Sequence, residues 1–296
     1  MKFGKVELPE LVDFSLPETH KDTIKVLSTV EKKEDPAIYV GCAKWNRTDL
    51  KGFYPRGTKD ELEYYSRQFN CIELNATFYR QFPATQFEKW YHKTPDNFKF
   101  FPKLGQEISH WKRLVGVEEV VNTYLYNASN LKEKLGTIFL QLHANFGSKN
   151  FDRLHNFVES WPKEVPLAVE CRHPDWFSDE AVANEFYQLL ENKGIANVLV
   201  DTAGRRDMMH MRLTNNEAFV RYVGANHPSD YDRLDAWVSR LEEWIGLGLS
   251  NIHFFIHQNL EKESPLLAAH FIKQLNTKLG TQLRVPNDEN SQMSLL

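Results

Sequence analysis

The chain has 296 residues, 42% of them apolar and 26% charged, which suits a globular protein able to bury a large core without disulfides. Its net charge of −4 argues against a general nucleic-acid surface. No run approaches about 18 apolar residues, Met1–Glu7 lacks the apolar centre of a leader, and Cys42, Cys71 and Cys171 form neither a disulfide framework nor a zinc spacing, so a cytoplasmic protein with no membrane span is expected.

Residues 1–35 are polar, carry Pro9 and Pro17 and end in the charged run Glu31–Asp35. They are expected to form an N-terminal extension packed on the body, with a short helix over Lys21–Thr29. Residues 36–296 are then a single domain whose tail, from about Val285, is expected to fray. Within that domain β-rich runs start near Ile38, Cys71, Asn97, Thr137, Pro166, Ala196, Ala218 and Asn251. Their spacing is close to the ~30 residues of a βα unit. Helical stripes lie between several of them: Leu62, Tyr65 and Phe69 within Lys59–Phe69, Val182, Phe186 and Leu189 within Asp179–Lys193, and Leu234, Trp237, Val238, Leu241, Trp244 and Ile245 within Tyr231–Gly246. The long interval from 97 to 137 leaves room for an excursion over one end of the sheet. Eight alternating units without a glycine-rich dinucleotide fingerprint predict an α/β fold of the (β/α)₈ TIM-barrel type. Asp201–Glu217 is too short for more than a shortened or missing helix between strands six and seven.

Side chains alternate along a strand, and in a barrel the chemistry gathers at the C-terminal strand ends. In strand two, Ile72 and Leu74 should face the helices and Glu73 and Asn75 the interior. In strand five, Glu170 and Arg172 point inward, and in strand seven Arg221 does. Strand four ends at Gln141, strand six at Asp201 and strand eight at His257; strand three runs on to Lys103. Buried carboxylates at Glu73, Glu170 and Asp201 need cationic or metal partners, and Arg172, Arg221, Lys44 and Lys103 are the local cations. An ion network that merely closes the core would collect the same residue types; concentration at one rim favours a site.

Gly41-Cys42-Ala43-Lys44-Trp45, Gly52-Phe53-Tyr54-Pro55 and Glu73-Leu74-Asn75-Ala76-Thr77-Phe78-Tyr79 resemble the YecE-like family of uncharacterised proteins. So do Phe98-Lys99-Phe100 to Lys103, Ile108-Ser109-His110, Phe139-Leu140-Gln141-Leu142, Ala168-Val169-Glu170-Cys171-Arg172-His173-Pro174 with Trp176-Phe177, and Val220-Arg221-Tyr222 with Gly224, in order over roughly residues 38–272. The resemblance implies a TIM barrel, in agreement with the strand count, and no established activity; a sugar-isomerase-like role rests on fold analogy alone. Lys44 and the string Ile256-His257-Gln258-Asn259 depart from that family's pattern.

The leading expectation is an enzyme acting on a small polar ligand, anionic or sugar-like, at the barrel mouth. Arg172 and Arg221 would bind a carboxylate or phosphate. Glu73 or Glu170 would serve as base, with His110, His173 or Lys103 as acid partner. Trp45, Tyr79 and Trp176 would wall the pocket. A second version is a divalent-metal-dependent isomerase or hydrolase using Glu73, Glu170, Asp201 and His257 as ligands. A glycosidase would use Glu73 and Glu170 as its two carboxylates. A non-catalytic binder of a metabolite or single-stranded nucleic acid is a further alternative, with the carboxylates and acidic charge arguing against nucleic acid. The cysteines read as buried small hydrophobes.

Overall fold

A computed structural model describes residues 4–29, 31–33 and 35–287. Its eight strands are β1 (Ala37–Cys42), β2 (Cys71–Leu74), β3 (Lys99–Pro102), β4 (Ile138–Gln141), β5 (Leu167–Glu170), β6 (Ala196–Thr202), β7 (Glu217–Gly224) and β8 (Asn251–Gln258). The helices are α1 (Lys21–Ser28), α2 (Glu61–Ser66), α3 (Ala76–Tyr79), α4 (Ala84–Lys93), α5 (Glu118–Ala128), α6 (Phe151–Ser160), α7 (Asp175–Ser178), α8 (Glu180–Asn192), α9 (Ser229–Leu247) and α10 (Ser264–Leu279). Strand starts fall within two residues of the positions expected from sequence, and α8 and α9 lie where their stripes place them. The stripe over Lys59–Phe69 yields only the six residues of α2, capped by Asp60, which accepts from the Glu63 amide at 3.0 Å.

Every ladder is parallel. The strands form a six-stranded half-barrel in the order β1-β8-β7-β6-β5-β4 and a separate pair, β2-β3. The expected continuous eight-stranded ladder is therefore interrupted at two seams. Between β1 and β2, side chains replace the ladder: Asn70 accepts from the Val40 amide at 3.0 Å and donates to the Ile38 carbonyl at 2.8 Å. The Tyr65 hydroxyl accepts from the Cys42 amide at 2.7 Å and donates to the Cys71 carbonyl at 3.2 Å. The backbones come so close there that a Cβ on Gly41 would lie 2.3 Å from the Cys71 carbonyl oxygen. Between β3 and β4 the link is reduced to isolated bridges, Phe100 with Leu135 and Lys103 with Phe139.

Two apolar layers follow from strand alternation. Side chains of one parity pack against the helices. The other parity meets inside the sheet, where Phe101, Phe139, Ala168, Val198, Val200, Phe219 and Phe255 form a separate cluster. At the strand N-termini this inner layer is closed by Glu217, which meets His253 Nδ1 at 3.1 Å and accepts from Thr137 Oγ1 at 3.1 Å. At the C-terminal ends it gives way to charged groups.

Between β6 and β7 only a single turn, Arg206–Met208, is helical. The N-terminal extension lies against that gap. Thr23 of α1 donates to the Met211 carbonyl at 2.9 Å and accepts from the Leu213 amide at 2.8 Å. Its flanks reach the helices on both sides, His20 meeting the Tyr187 ring of α8 at 6.0 Å and Thr19 accepting from Trp244 Nε1 of α9 at 2.9 Å. The fraying expected at the C-terminus concerns residues that, from 288 on, lie outside those described. Val285 is buried, and Asn287 is anchored by Gln68 and Phe53.

Candidate functional site

The inward parity of β2, β5 and β7 brings Glu73, Glu170 and Arg221 together, all buried. The Arg221 fork donates from Nε to Glu73 Oε2 at 2.9 Å and from Nη2 to Glu73 Oε1 at 2.8 Å. Its remaining arm, Nη1, reaches Glu170 Oε2 at 2.6 Å. Asn75 donates to Glu73 Oε1 at 2.7 Å, and His257 Nε2 lies 3.0 Å from Oε2. Glu170 also accepts from Arg172 Nε at 2.5 Å and from Gln141 Nε2 at 2.9 and 3.0 Å. Gln141 and Glu170 are register partners on β4 and β5, so their side chains lie at one level.

Electrostatics fixes the protonation of this cluster. Burial alone would raise the Glu170 carboxyl, but the charges of Arg172 and Arg221 and the Gln141 hydrogen bonds outweigh it and hold the group at about 2. Glu73 behaves likewise: Arg221 and His257 overcome burial and keep it well below the carboxylate range. Burial opposes the charge on Arg221, yet the two carboxylates raise its affinity for the proton further. Glu73, Glu170 and Arg221 are therefore ionised at neutral pH.

Lys103 stands one residue beyond β3, its Nζ donating to Gln141 Oε1 at 2.7 Å and lying 3.9 Å from the centre of the Phe78 ring. Among the described residues it makes no ion pair within 4.0 Å. Burial, reinforced by Arg221 and Arg172, lowers its ammonium to about 7. His110 sits in a single π-helical turn, Glu107–Trp111, with its ring 4.8 Å from that of Phe78. Burial and the nearby Lys103 push it down to about 4, so it is a neutral imidazole. The turn belongs to the expected excursion between β3 and β4, which is tied down where Arg113 donates to the Asn145 carbonyl at 3.0 Å.

Two lobes open over the cluster and share Tyr79 and Arg172. One, of about 540 Å³, is rimmed by Lys44, Lys51, Lys262 and His257 together with Asp49 and Glu261. The other, of about 340 Å³, is lined by Lys103, His110, Gln141, His143, Phe78 and Trp111. Lys44 pairs with Asp49 at 3.1 Å on the rim.

Four sequence candidates are not brought to these lobes. Asp201 has the outward parity of β6, where Arg233 Nη2 donates to it at 2.7 Å, Trp237 Nε1 at 2.8 Å, and Arg206 also binds it. It anchors α9 to the sheet. Trp176 is fully buried in the helix layer, donating to the Phe146 carbonyl at 2.7 Å. Trp45 turns toward Trp90, ring centres 6.0 Å apart. His173 lies in the turn before α7, accepting from the Asp175 amide at 3.2 Å. The expected metal ligand set does not converge either: Asp201 faces away, and the Arg221 guanidinium occupies the space between Glu73 and Glu170. No group of three or more His, Cys, Asp or Glu side chains that could hold a metal is present among the described residues. The glycosidase reading needs one carboxyl protonated near neutrality, and both are ionised. The cysteines are buried free thiols, raised by that burial.

His143 and Trp111 line the second lobe, and sequence reasoning missed both. His143 lies two residues past Gln141, so extending the alternation of β4 would have reached it. Trp111 sits on the excursion, where no periodicity points to an interior.

The fold has counterparts among known proteins. The family described as "Protein of unknown function DUF72" matches residues 39–291, and the chain belongs to that family. It is 28% identical over 229 residues to UPF0759 protein YecE of Escherichia coli (strain K12), covering 70% of this chain and 82% of that protein. With UPF0759 protein YunF of Bacillus subtilis (strain 168) it shares 29% identity over 150 residues, 48% of this chain and 52% of that one. Among solved structures, a DUF72 family protein from Thermotoga maritima MSB8 superposes with a TM-score of 0.64 at 26% identity, covering 81% of this chain and 99% of its own. One from Enterococcus faecalis V583 gives 0.66 at 18% identity, with 84% and 100% covered. Among the described residues no helix is long and apolar enough to cross a membrane.

Proposed function

We propose that the half-barrel and the β2-β3 pair are parts of one (β/α)₈ barrel, and that its C-terminal mouth is the site of an enzyme acting on a small anionic ligand. The observation that carries this reading is the distribution of charge around the mouth. The two carboxylates are already neutralised by Arg221 and Arg172, and the rim above them sets three lysines, Lys44, Lys51 and Lys262, against two carboxylates, Asp49 and Glu261, which leaves a net positive charge. A cleft of that sign favours a carboxylate or phosphate. The roles differ from the simplest expectation. Glu73 and Glu170 are too acidic to take protons near neutrality and instead orient the cations, and Arg221 is committed to them. Proton transfer falls to Lys103, whose affinity for a proton is matched to neutral pH. Neutral His110 lines the same lobe.

The test is a thermal-shift panel of sugar phosphates, short carboxylates and matching neutral sugars. Anionic members should stabilise the native protein, and a Lys44→Gln/Lys262→Gln variant, altered only on the rim, should bind them roughly tenfold more weakly, as expected for loss of about 1.4 kcal/mol of charge contact. Equal stabilisation by neutral sugars, or an unchanged response in the variant, would refute an anion site at the mouth.

A further inference from the structure

Lys103 is set apart from the cations around it. Arg221 and Arg172 each bind a carboxylate, whereas the Lys103 amine meets an amide oxygen at 2.7 Å and the face of Phe78. It is 3% exposed, and the cluster beneath it holds as many guanidinium charges as carboxylates, so a protonated Lys103 is a surplus positive charge in a desolvated place. Desolvation beside other cations is the arrangement that leaves a lysine amine unprotonated and nucleophilic. The amine also faces an open lobe, with His110, His143 and Arg172 around the space a reactant would fill.

We propose that Lys103 is a carbonyl-capturing amine, forming an imine with a short aldehyde or ketone that carries a carboxylate or phosphate. This rests on the reading of the mouth as an anion site. The neutral Nζ adds to the carbonyl carbon, and the oxygen takes up a proton to give the carbinolamine. The former carbonyl oxygen then leaves as water with the two amine protons, and a C=N bond replaces C=O. No oxidant or reductant takes part, and water reverses the step. The ligand's anionic group would lie toward Arg172, which the cationic lobe shares with the lobe of Lys103.

The groups facing the amine are Arg221, Arg172, Glu170, Glu73, Gln141 and His110. The carboxylates and guanidinium groups keep their charges across neutral pH, so capture should rise as the amine loses its proton near 7.

The experiment is borohydride reduction of the full-length protein with pyruvate, glyoxylate, dihydroxyacetone phosphate or glyceraldehyde 3-phosphate, followed by peptide mapping. At least one should give a single reduced adduct at Lys103, at least tenfold above any surface lysine and suppressed by excess inorganic phosphate. Lys103→Met, which removes the amine without fixing a charge in its place, should lose it. Adducts scattered over surface lysines, or none at Lys103 with all four compounds, would overturn the proposal. The rim variant's thermal shifts separate the two failures: anion binding without an adduct removes only imine formation, whereas neither anion binding nor adduct removes both.

Discussion

Lys103 and Arg221 are both buried cations at the same strand ends, yet their surroundings drive them in opposite directions. Three hydrogen bonds to two carboxylates lock the proton on Arg221; an amide and an aromatic face leave the lysine proton labile. The consequences for stability also differ in sign. In the fold Glu170 titrates at about 2 rather than 4.5, so the unfolded chain binds more protons between those values. The stabilisation it contributes is complete above pH 4.5 and is lost as pH falls toward 2. Glu170→Gln leaves the two guanidinium groups of Arg221 and Arg172 facing a single carboxylate, Glu73, and should cost about 3–5 kcal/mol in urea denaturation at pH 7. Lys103 titrates at about 7 in the fold against 10.5 unfolded, so here stability should climb as pH rises through that window. Lys103→Met should flatten that climb and leave stability at pH 6 no lower than the native value. If the Lys103→Met variant were instead much weaker at pH 6, the ammonium would have to be well accommodated in the fold.

At the level of the elements, strand alternation decides which polar groups meet. It is legible where one parity is plainly apolar: Ile72 and Leu74 fix β2, Leu167 and Val169 fix β5, and the interior positions of Glu73, Glu170 and Arg221 follow. It is not legible in β6, where Ala196–Thr202 is buried on both faces and nothing in the residue types marks the inner one. Sequence alone therefore groups Asp201 with the site, although it belongs to the helix side. Of the three aromatic candidates Tyr79 reaches both lobes, whereas Trp45 and Trp176 follow strand ends but turn into the helix layer, and loop geometry has no period to read. Asp201→Ala leaves Arg233 only the carboxylate of Asp230 and frees Trp237 Nε1 in the core, which should cost about 1–3 kcal/mol, with ligand affinity of the folded protein unchanged; a loss of affinity would return Asp201 to the site. The β1-β2 seam gives a further prediction. Gly41→Ala must push β1 away from the Cys71 carbonyl, which is backbone and cannot yield. A melting temperature lowered by several degrees is expected, and an unchanged one would mean that the strands separate freely at this seam.

For the whole molecule, the short interval between β6 and β7 reveals a missing helix, but not what covers the gap. The answer depends on contacts between residues 19–23 and segments far along the chain, such as Thr23 with Met211, 188 positions apart, and a local pattern carries no trace of these. α1 lies against the segment between β6 and β7. Removing residues 1–29 should therefore uncover Met211, Leu213 and Tyr187 and lower the unfolding midpoint. The central claim, that the mouth is a site for a small anionic ligand, is tested most directly by a crystal structure grown with a sugar phosphate. It should show the phosphate or carboxylate at the mouth within hydrogen-bond distance of Arg172 and the Lys44–Lys262 rim, with Glu73 and Glu170 still held by Arg221. Anion density elsewhere on the surface, with only water between Lys103 and Lys44, would contradict it.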